Sequence, residues 1–146
     1  MRMLHDPAVR ATLEARLDTL RPDSERRWGA MSVDQMLWHV NQFIGAALGD
    51  DCLKPQTMPV PLPVMRYLVL RLPFPKSAPT NKSAVATAHH DFDAERARCR
   101  ALLARFAAKP LTDAWPVDPT WGAGGGRFAS RILAKHLDHH LRQFGA

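Results

Sequence analysis

Apolar residues recur at three- and four-residue intervals after Asp6 and Pro7, a residue pair typical of the start of a helix. Side chains at this spacing share one face of a helix, which can be buried against the rest of the protein. We therefore predict a first helix that runs from this start to about Pro22. Its apolar positions are Val9, Leu13, Leu17 and Leu20.

A second stretch with the same periodicity begins at Ser32. Gln35 stands three residues later, and the two side chains can form a capping box, in which each accepts a hydrogen bond from the other residue's backbone N–H. The pattern predicts a second helix that runs to about Leu48 and is closed by Gly49. Its apolar stripe consists of Val33, Met36, Leu37, Val40, Phe43, Ile44 and Ala47.

Two further helices are predicted in the second half of the chain. Residues 91–108 begin with Asp91 as a cap, carry acidic residues in the first turn and stop before Pro110. The apolar side of this helix consists of Phe92, Cys99, Leu102, Leu103 and Phe106. The last helix is predicted over residues 128–144. We interpret the glycine-rich segment 122–126 before it as a flexible turn, because it lacks the spacing of a phosphate-binding loop.

Prolines at 55, 59, 61, 63, 73, 75 and 79 interrupt the segment 49–90, which therefore has room only for short elements such as a helix over 64–70. A connection of this length usually covers a site, and we expect it to form a lid or wall. No stretch predicts a strand. The sequence thus predicts an all-α fold, a four-helix bundle with a long irregular proline-rich connection between helices two and three, in one domain over residues 1–146.

Composition narrows the classes of partner. The formal net charge is +6, but lysine and arginine are spread along the chain without a basic tract, so nucleic acid is not the expected partner. The most apolar window, Met58–Pro75, is too interrupted to span a bilayer, so no membrane partner is expected. Cys52 and Cys99 have no CxxC spacing and no signal-like segment begins the sequence, which predicts a cytoplasmic protein with reduced thiols.

Three histidines lie within five residues of the last predicted helix. A helix turns by about 100° per residue, so His136 and His140 fall about 40° apart, beside the apolar face. His139 falls toward the solvent side. In the second helix, His39 lies three residues after Met36 and is flush with the apolar stripe, so it should face the interior of the bundle.

One histidine on one helix and an i, i+4 pair on a facing helix can form a three-nitrogen metal site with a position left open for water or substrate. The simpler alternative is that these are core side chains satisfied by hydrogen bonds. Three neighbouring buried imidazoles are costly without a ligand, because their nitrogens need polar partners. The candidate metal ligands are therefore His39, His136 and His140.

No general base stands out near these histidines. Asp34 and Gln35 lie one turn before His39, where they can equally serve the helix N-terminus. Asn41 and Gln42 can contact the ligands from behind or lie on the surface. Two tryptophans that can line a pocket or pack in the core are Trp38 and Trp121.

Four separated blocks of the sequence resemble the DinB-like superfamily of metal-binding four-helix bundles, and within it a bacterial branch without an assigned reaction. The blocks are RRWGAMSVDQMLWHVNQ at 26–42, PFPKSAPT at 73–80, DFDAERARCRALLARFA at 91–107 and KHLDHHLRQFG at 135–145. The resemblance implies up-down-down-up topology, a homodimer, and metal binding by one histidine of helix two and an HxxxH pair of the last helix. Carried over by position, these are His39, His136 and His140.

The sequence leaves two hypotheses for the function, an enzyme and a non-catalytic binding protein. In the first, a divalent metal, Zn²⁺ or Ni²⁺, is held by the three histidines. The resemblance then implies a transferase or isomerase in which the metal activates a low-molecular-weight thiol. In the second, the protein is a non-catalytic homodimeric bundle that binds a small molecule or a partner protein, and the metal is structural or absent.

Overall fold

Helices make up the regular structure of the chain in the computed structural model, which describes residues 2–50 and 52–146. The described part contains α1 (Pro7–Asp18), α2 (Val33–Ala47), α3 (Leu62–Arg71), α4 (Phe92–Ala108), α5 (Gly125–Gln143) and one 3₁₀ turn (Lys82–Ala84). Within those residues, extended pairing is limited to one isolated bridge between Asp118 and Gly122. The prediction of an all-α chain is confirmed, and the short helix predicted over 64–70 is present as α3.

Side-chain caps fix the starts of the helices. The Asp6 carboxylate accepts from the N–H groups of Ala8 and Val9 at the start of α1. At the start of α2, Gln35 Oε1 accepts from Ser32 N at 3.1 Å as part of the capping box that the sequence predicts. These bonds satisfy backbone donors that have no partner inside the helix.

Two predicted boundaries are wrong. Helix α1 ends at Asp18 rather than near Pro22, because Thr19 caps it with bonds from both its backbone N and its Oγ1 to Arg16 O. Helix α5 begins at Gly125 rather than Phe128, so the glycine run is partly helical. Its Gly126 allows close packing, since a Cβ there would lie 2.4 Å from the Trp115 ring nitrogen.

A single cluster of buried apolar residues, which includes Leu13, Met36, Leu103 and Leu137, joins α1, α2, α4 and α5. Helix α2 packs against α4 and α5, and α1 packs against α5 and α4. Because α2 and α5 are neighbours, the histidines that the two helices carry on their inner faces come close together.

Replacement of a core side chain such as Leu37 by alanine is expected to lower the free energy of unfolding by about 2–5 kcal/mol, because it leaves a cavity in the core. Urea unfolding of the two proteins measures the difference.

The connection between α2 and α4 lies against α5. Helix α3 contacts α5 and has no fully buried residue. Lys135 of α5 donates from Nζ to Val69 O and Leu72 O, at the end of α3, and its ammonium group lies 4.7 Å from the centre of the Phe74 ring. No helix in the described part of the chain is sufficiently long and apolar to cross a membrane.

Candidate metal centre

The imidazoles of His39, His136 and His140 meet at the contact between α2 and α5. His39 comes from the buried stripe of α2, and the other two lie one turn apart on α5. The Nε2 atom of His136 lies 3.1 Å from Nε2 of His39 and 3.0 Å from Nε2 of His140. The structure therefore brings together the three histidines that the sequence singles out as ligands, and three such side chains can hold a metal ion.

Hydrogen bonds at the far nitrogens set the tautomers of two of the rings. His39 Nδ1 lies 2.8 Å from Ala84 O, and because a carbonyl only accepts, Nδ1 carries the proton. His140 Nδ1 lies 2.7 Å from Gln143 Oε1. The Gln143 Nε2 donates to Trp28 O at 2.9 Å, which identifies the other amide atom as the oxygen and makes His140 Nδ1 a donor as well. In neutral His39 and His140, Nε2 is therefore a bare lone pair.

A cation bound by the three nitrogens satisfies them better than hydrogen bonds between the rings can. A proton on His136 Nε2 can be directed at one neighbouring lone pair, which leaves the other facing nitrogen at about 3 Å without a donor. Nitrogens bound to a tetrahedral metal at about 2.0–2.1 Å lie about 3.3–3.4 Å from each other, a few tenths of an ångström more than the two separations found here. Imidazoles with a hydrogen-bonded Nδ1–H and a free Nε2 are typical metal ligands.

Burial keeps all three histidines neutral. His39 and His140 are 2% and 7% exposed. Loss of hydration lowers the pKa of His39 to about 4 and that of His140 to about 3, against 6.5 for a free histidine. The pKa of His136 is also well below its usual range, first because of burial and then because of repulsion by the neighbouring histidines. Neutral imidazole is the form that binds metals.

Aromatic rings from α2 and from the connection form the walls of the centre. The Phe43 ring lies 5.0 Å from His39 and 4.7 Å from His136, centre to centre. The Phe74 ring lies 6.3 Å from His136. Together with the Ala84 carbonyl, Phe74 gives the proline-rich connection a direct part in the centre, as a wall.

His139 does not join the converging nitrogens, but it is partly buried rather than directed into solvent. Its ring lies 5.5 Å from both Trp28 and Phe74 and 5.1 Å from His140. His139 therefore borders the centre as a neighbour of the candidate ligands.

Asp34 and Gln35 serve the N-terminus of α2. Gln35 completes the capping box, and Asp34 accepts hydrogen bonds from Ser32 Oγ at 2.6 Å and from His90 N at 2.8 Å. Burial alone would raise the pKa of Asp34, but these hydrogen bonds outweigh it and lower the pKa to about 2. Neither residue contacts the histidine cluster, so neither is a candidate base.

The remaining polar candidates also bind elsewhere. Asn41 is fully buried rather than on the surface, and its Nδ2 donates to Glu95 O and Oε2 at 2.9 and 2.8 Å. Gln42 accepts from Arg98 and donates to the Cys52 carbonyl.

The two tryptophans that the sequence suggests for a pocket, and both cysteines, lie outside the centre. Trp38 stacks on His90, and Trp121 packs edge-on against Phe128. Cys99 lies in the core of α4, as predicted. Among the described residues, neither a cysteine nor a carboxylate joins the three histidines, so the candidate ligand set consists of three imidazoles without a negative charge.

Sequence reasoning missed the two residues that fix the tautomers. Gln143 follows His140 by three residues, a spacing that places two side chains on the same face of a helix and so gave a usable signal. Ala84 acts through its backbone carbonyl, which no side-chain pattern reports. A comparison of the chain with protein-family models, curated proteins and solved structures found no match in any of the three.

Proposed function

We propose that His39, His136 and His140 hold one divalent metal ion, Zn²⁺ or Ni²⁺, since imidazole suits both. The observation that carries this proposal is the position of His136 Nε2, which lies 3.1 Å from Nε2 of His39 and 3.0 Å from Nε2 of His140, while the Nδ1 atoms of the latter two rings are engaged with acceptors. Three protein nitrogens leave a coordination position for an exogenous ligand, as catalytic zinc sites do. Bound there, a water or thiol would have its pKa lowered by the metal.

The proposal includes membership of the DinB-like superfamily, with α1, α2, α4 and α5 as an up-down-down-up four-helix bundle. The shared core of these four helices and the position of the three histidines support it. Helix α3 and the 3₁₀ turn then belong to the long connection between the second and third bundle helices.

As the reaction we propose transfer or isomerisation that depends on a low-molecular-weight thiol. Three neutral imidazoles do not offset the charge of a divalent cation, and no described carboxylate or cysteine joins them. An anionic ligand from outside the protein is therefore favoured at the open position. A thiolate meets this requirement, because a metal deprotonates a thiol that it binds.

Cobalt substitution tests this reaction class. We expect the protein loaded with Co²⁺ to develop a sulfur-to-cobalt charge-transfer band in the near ultraviolet on titration with glutathione, mycothiol or bacillithiol. The S-methyl derivative of the same thiol serves as the matched control and should give no band. If none of the three thiols changes the spectrum of the bound cobalt, the thiol-dependent reaction is wrong while the metal site stands.

One observation favours the second candidate, a non-catalytic bundle with a structural metal. His39 and His140 are almost fully buried, and a structural site is closed to exogenous ligands. Azide distinguishes the two candidates, since it binds an open position on Co²⁺ and alters the visible spectrum, whereas a closed site leaves the spectrum unchanged.

We further propose that the protein is a homodimer. Helix α3 and its end present large apolar side chains to solvent, and burial of such a patch stabilises association. They are Val64, Tyr67, Leu68 and Leu72. Sedimentation velocity is expected to give a dimer for the natural sequence and a shift toward monomer for Leu72→Glu. A monomer at all concentrations would contradict the proposal.

A further inference from the structure

The side-chain amide of Gln143 connects the candidate metal centre to a turn outside it. Gln143 is 3% exposed, and both ends of its amide are engaged. Its Oε1 accepts from His140 Nδ1 at 2.7 Å, and its Nε2 donates to Trp28 O at 2.9 Å. One amide therefore links a candidate ligand to the main chain of residues 26–29, which we call the 26–29 turn.

The 26–29 turn is shaped around Gln143. Arg27 N donates to the Gln143 backbone carbonyl at 2.7 Å, and Arg26 Nε closes the turn by donating to Gly29 O at 3.0 Å. Gly29 has a φ of +78°, and a Cβ there would lie 2.6 Å from Gln143 Nε2. Only glycine allows this approach without strain. The conformation of the turn and the position of the amide therefore depend on each other.

The turn also reaches the border of the centre. The ring of Trp28 lies 5.5 Å from the ring of His139, and the Lys76 ammonium lies 5.2 Å from the centre of the Trp28 ring. A shift of the turn would thus move an aromatic side chain that packs against His139, the neighbour of the candidate ligand His140.

We propose that Gln143 is a positioning residue that couples metal binding at His140 to the conformation of the 26–29 turn, which makes the turn a metal-responsive surface. The inference rests on the proposed metal site. A cation on His140 Nε2 draws electron density from the ring, so Nδ1–H becomes a stronger donor to Gln143 Oε1. The polarised amide then donates more strongly to Trp28 O. By linkage, if metal binding changes the affinity of another ligand for the turn, that ligand changes the affinity for the metal by the same factor.

The chain offers a matched control in Gln42. It follows His39 by three residues, as Gln143 follows His140. Its amide, however, binds Arg98 and the Cys52 carbonyl, and His39 donates to Ala84 O instead. Gln42→Leu therefore removes the same group at the same helical spacing without touching a candidate ligand.

The test is a competition titration with Zn²⁺ on wild type, Gln143→Leu, Gln42→Leu and Gly29→Ala. We expect Gln143→Leu to weaken binding by about 10- to 100-fold, the usual effect of losing a partner of a ligating histidine. Gly29→Ala keeps every candidate ligand and is expected to weaken binding by about 5-fold or more, because it displaces the turn. Gln42→Leu should bind as wild type does.

Nitrogen-15 NMR measures whether zinc changes the amide chemical shifts of the turn, a change that is not expected if Gln143 only stabilises the fold. Zinc is expected to shift the amide resonances of Arg27 and Gly29 in wild type and in Gln42→Leu, but not in Gln143→Leu. Unchanged Zn²⁺ affinity in folded Gln143→Leu overturns the coupling and leaves the metal site intact. If Gln143→Leu does not fold, unchanged affinity in Gly29→Ala overturns it. A wild type that binds no Zn²⁺ overturns both the metal site and the coupling.

Discussion

Replacement of His39, His136 or His140 by alanine is expected to weaken Zn²⁺ binding by more than about 100-fold. Loss of a hydrogen-bond partner behind a ligand already costs about 10- to 100-fold, and loss of the ligand itself removes a metal bond. The effect should be similar for all three, because each offers one ligand atom and these atoms lie within 4.8 Å of one another. Competition with a chromophoric chelator, on protein purified without a histidine tag, measures it.

His139→Ala is the matched control for this series. It removes an imidazole from the same turn of α5, whose ring lies 5.1 Å from that of His140 but whose nitrogens do not converge with the others. It should retain stoichiometric zinc. Equal affinity losses in His139→Ala and His136→Ala would show that the changes act through the helix and not through coordination.

Acid should destabilise the metal-free protein well before its carboxylates are protonated. In the folded state the pKa of His39 is about 4 and that of His140 about 3, whereas both are close to 6.5 in the unfolded chain. Between these values only the unfolded chain takes up protons. The contribution of these two histidines to the free energy of unfolding is therefore complete above about pH 6.5. It is lost as the pH falls toward 4, by at most about 1.4 kcal/mol per pH unit for each histidine.

Urea unfolding of chelator-treated protein at several pH values between 7.5 and 4.5 measures this dependence. His39→Leu should flatten the curve, because it removes one of the histidines that resist protonation. A free energy of unfolding that stays constant from pH 7 to 5 would contradict the buried, neutral histidines.

The helices could be predicted from the sequence because their apolar faces repeat at helical spacing and their starts carry local caps. Asp6, Ser32 and Asp91 cap α1, α2 and α4 as the sequence indicates. The end of α1 could not be located, because Leu20 continues the apolar pattern and is buried although the helix stops at Asp18. Burial, and not helical conformation, sets that pattern.

The predicted start of α5 is wrong because packing overrides local preference. Glycine is a poor helix former on intrinsic preference, but tertiary packing can override that preference. Trp115 packs so closely on Gly126 that a larger residue would clash. The glycine run thus reflects a close contact between two segments, which sequence spacing does not reveal.

The three histidines could be singled out because helical geometry places them on inner faces, and the two helices that carry them pack together. The residues that surround the histidines could not be predicted from the sequence. Ala84 lies 45 positions from His39, and its contribution is a backbone carbonyl. Phe74 also reaches the centre through the irregular connection, whose path is set by interactions such as those of Lys135 with the end of α3.

Anomalous diffraction at the zinc edge, from crystals of untagged protein grown with equimolar Zn²⁺, tests the central claim most directly. A single strong peak is predicted at about 2.0–2.1 Å from Nε2 of His39, His136 and His140, with a non-protein ligand at a fourth position. Rings that keep their present positions with no peak between them, or zinc bound only at His89, His90 or the chain surface, would contradict it.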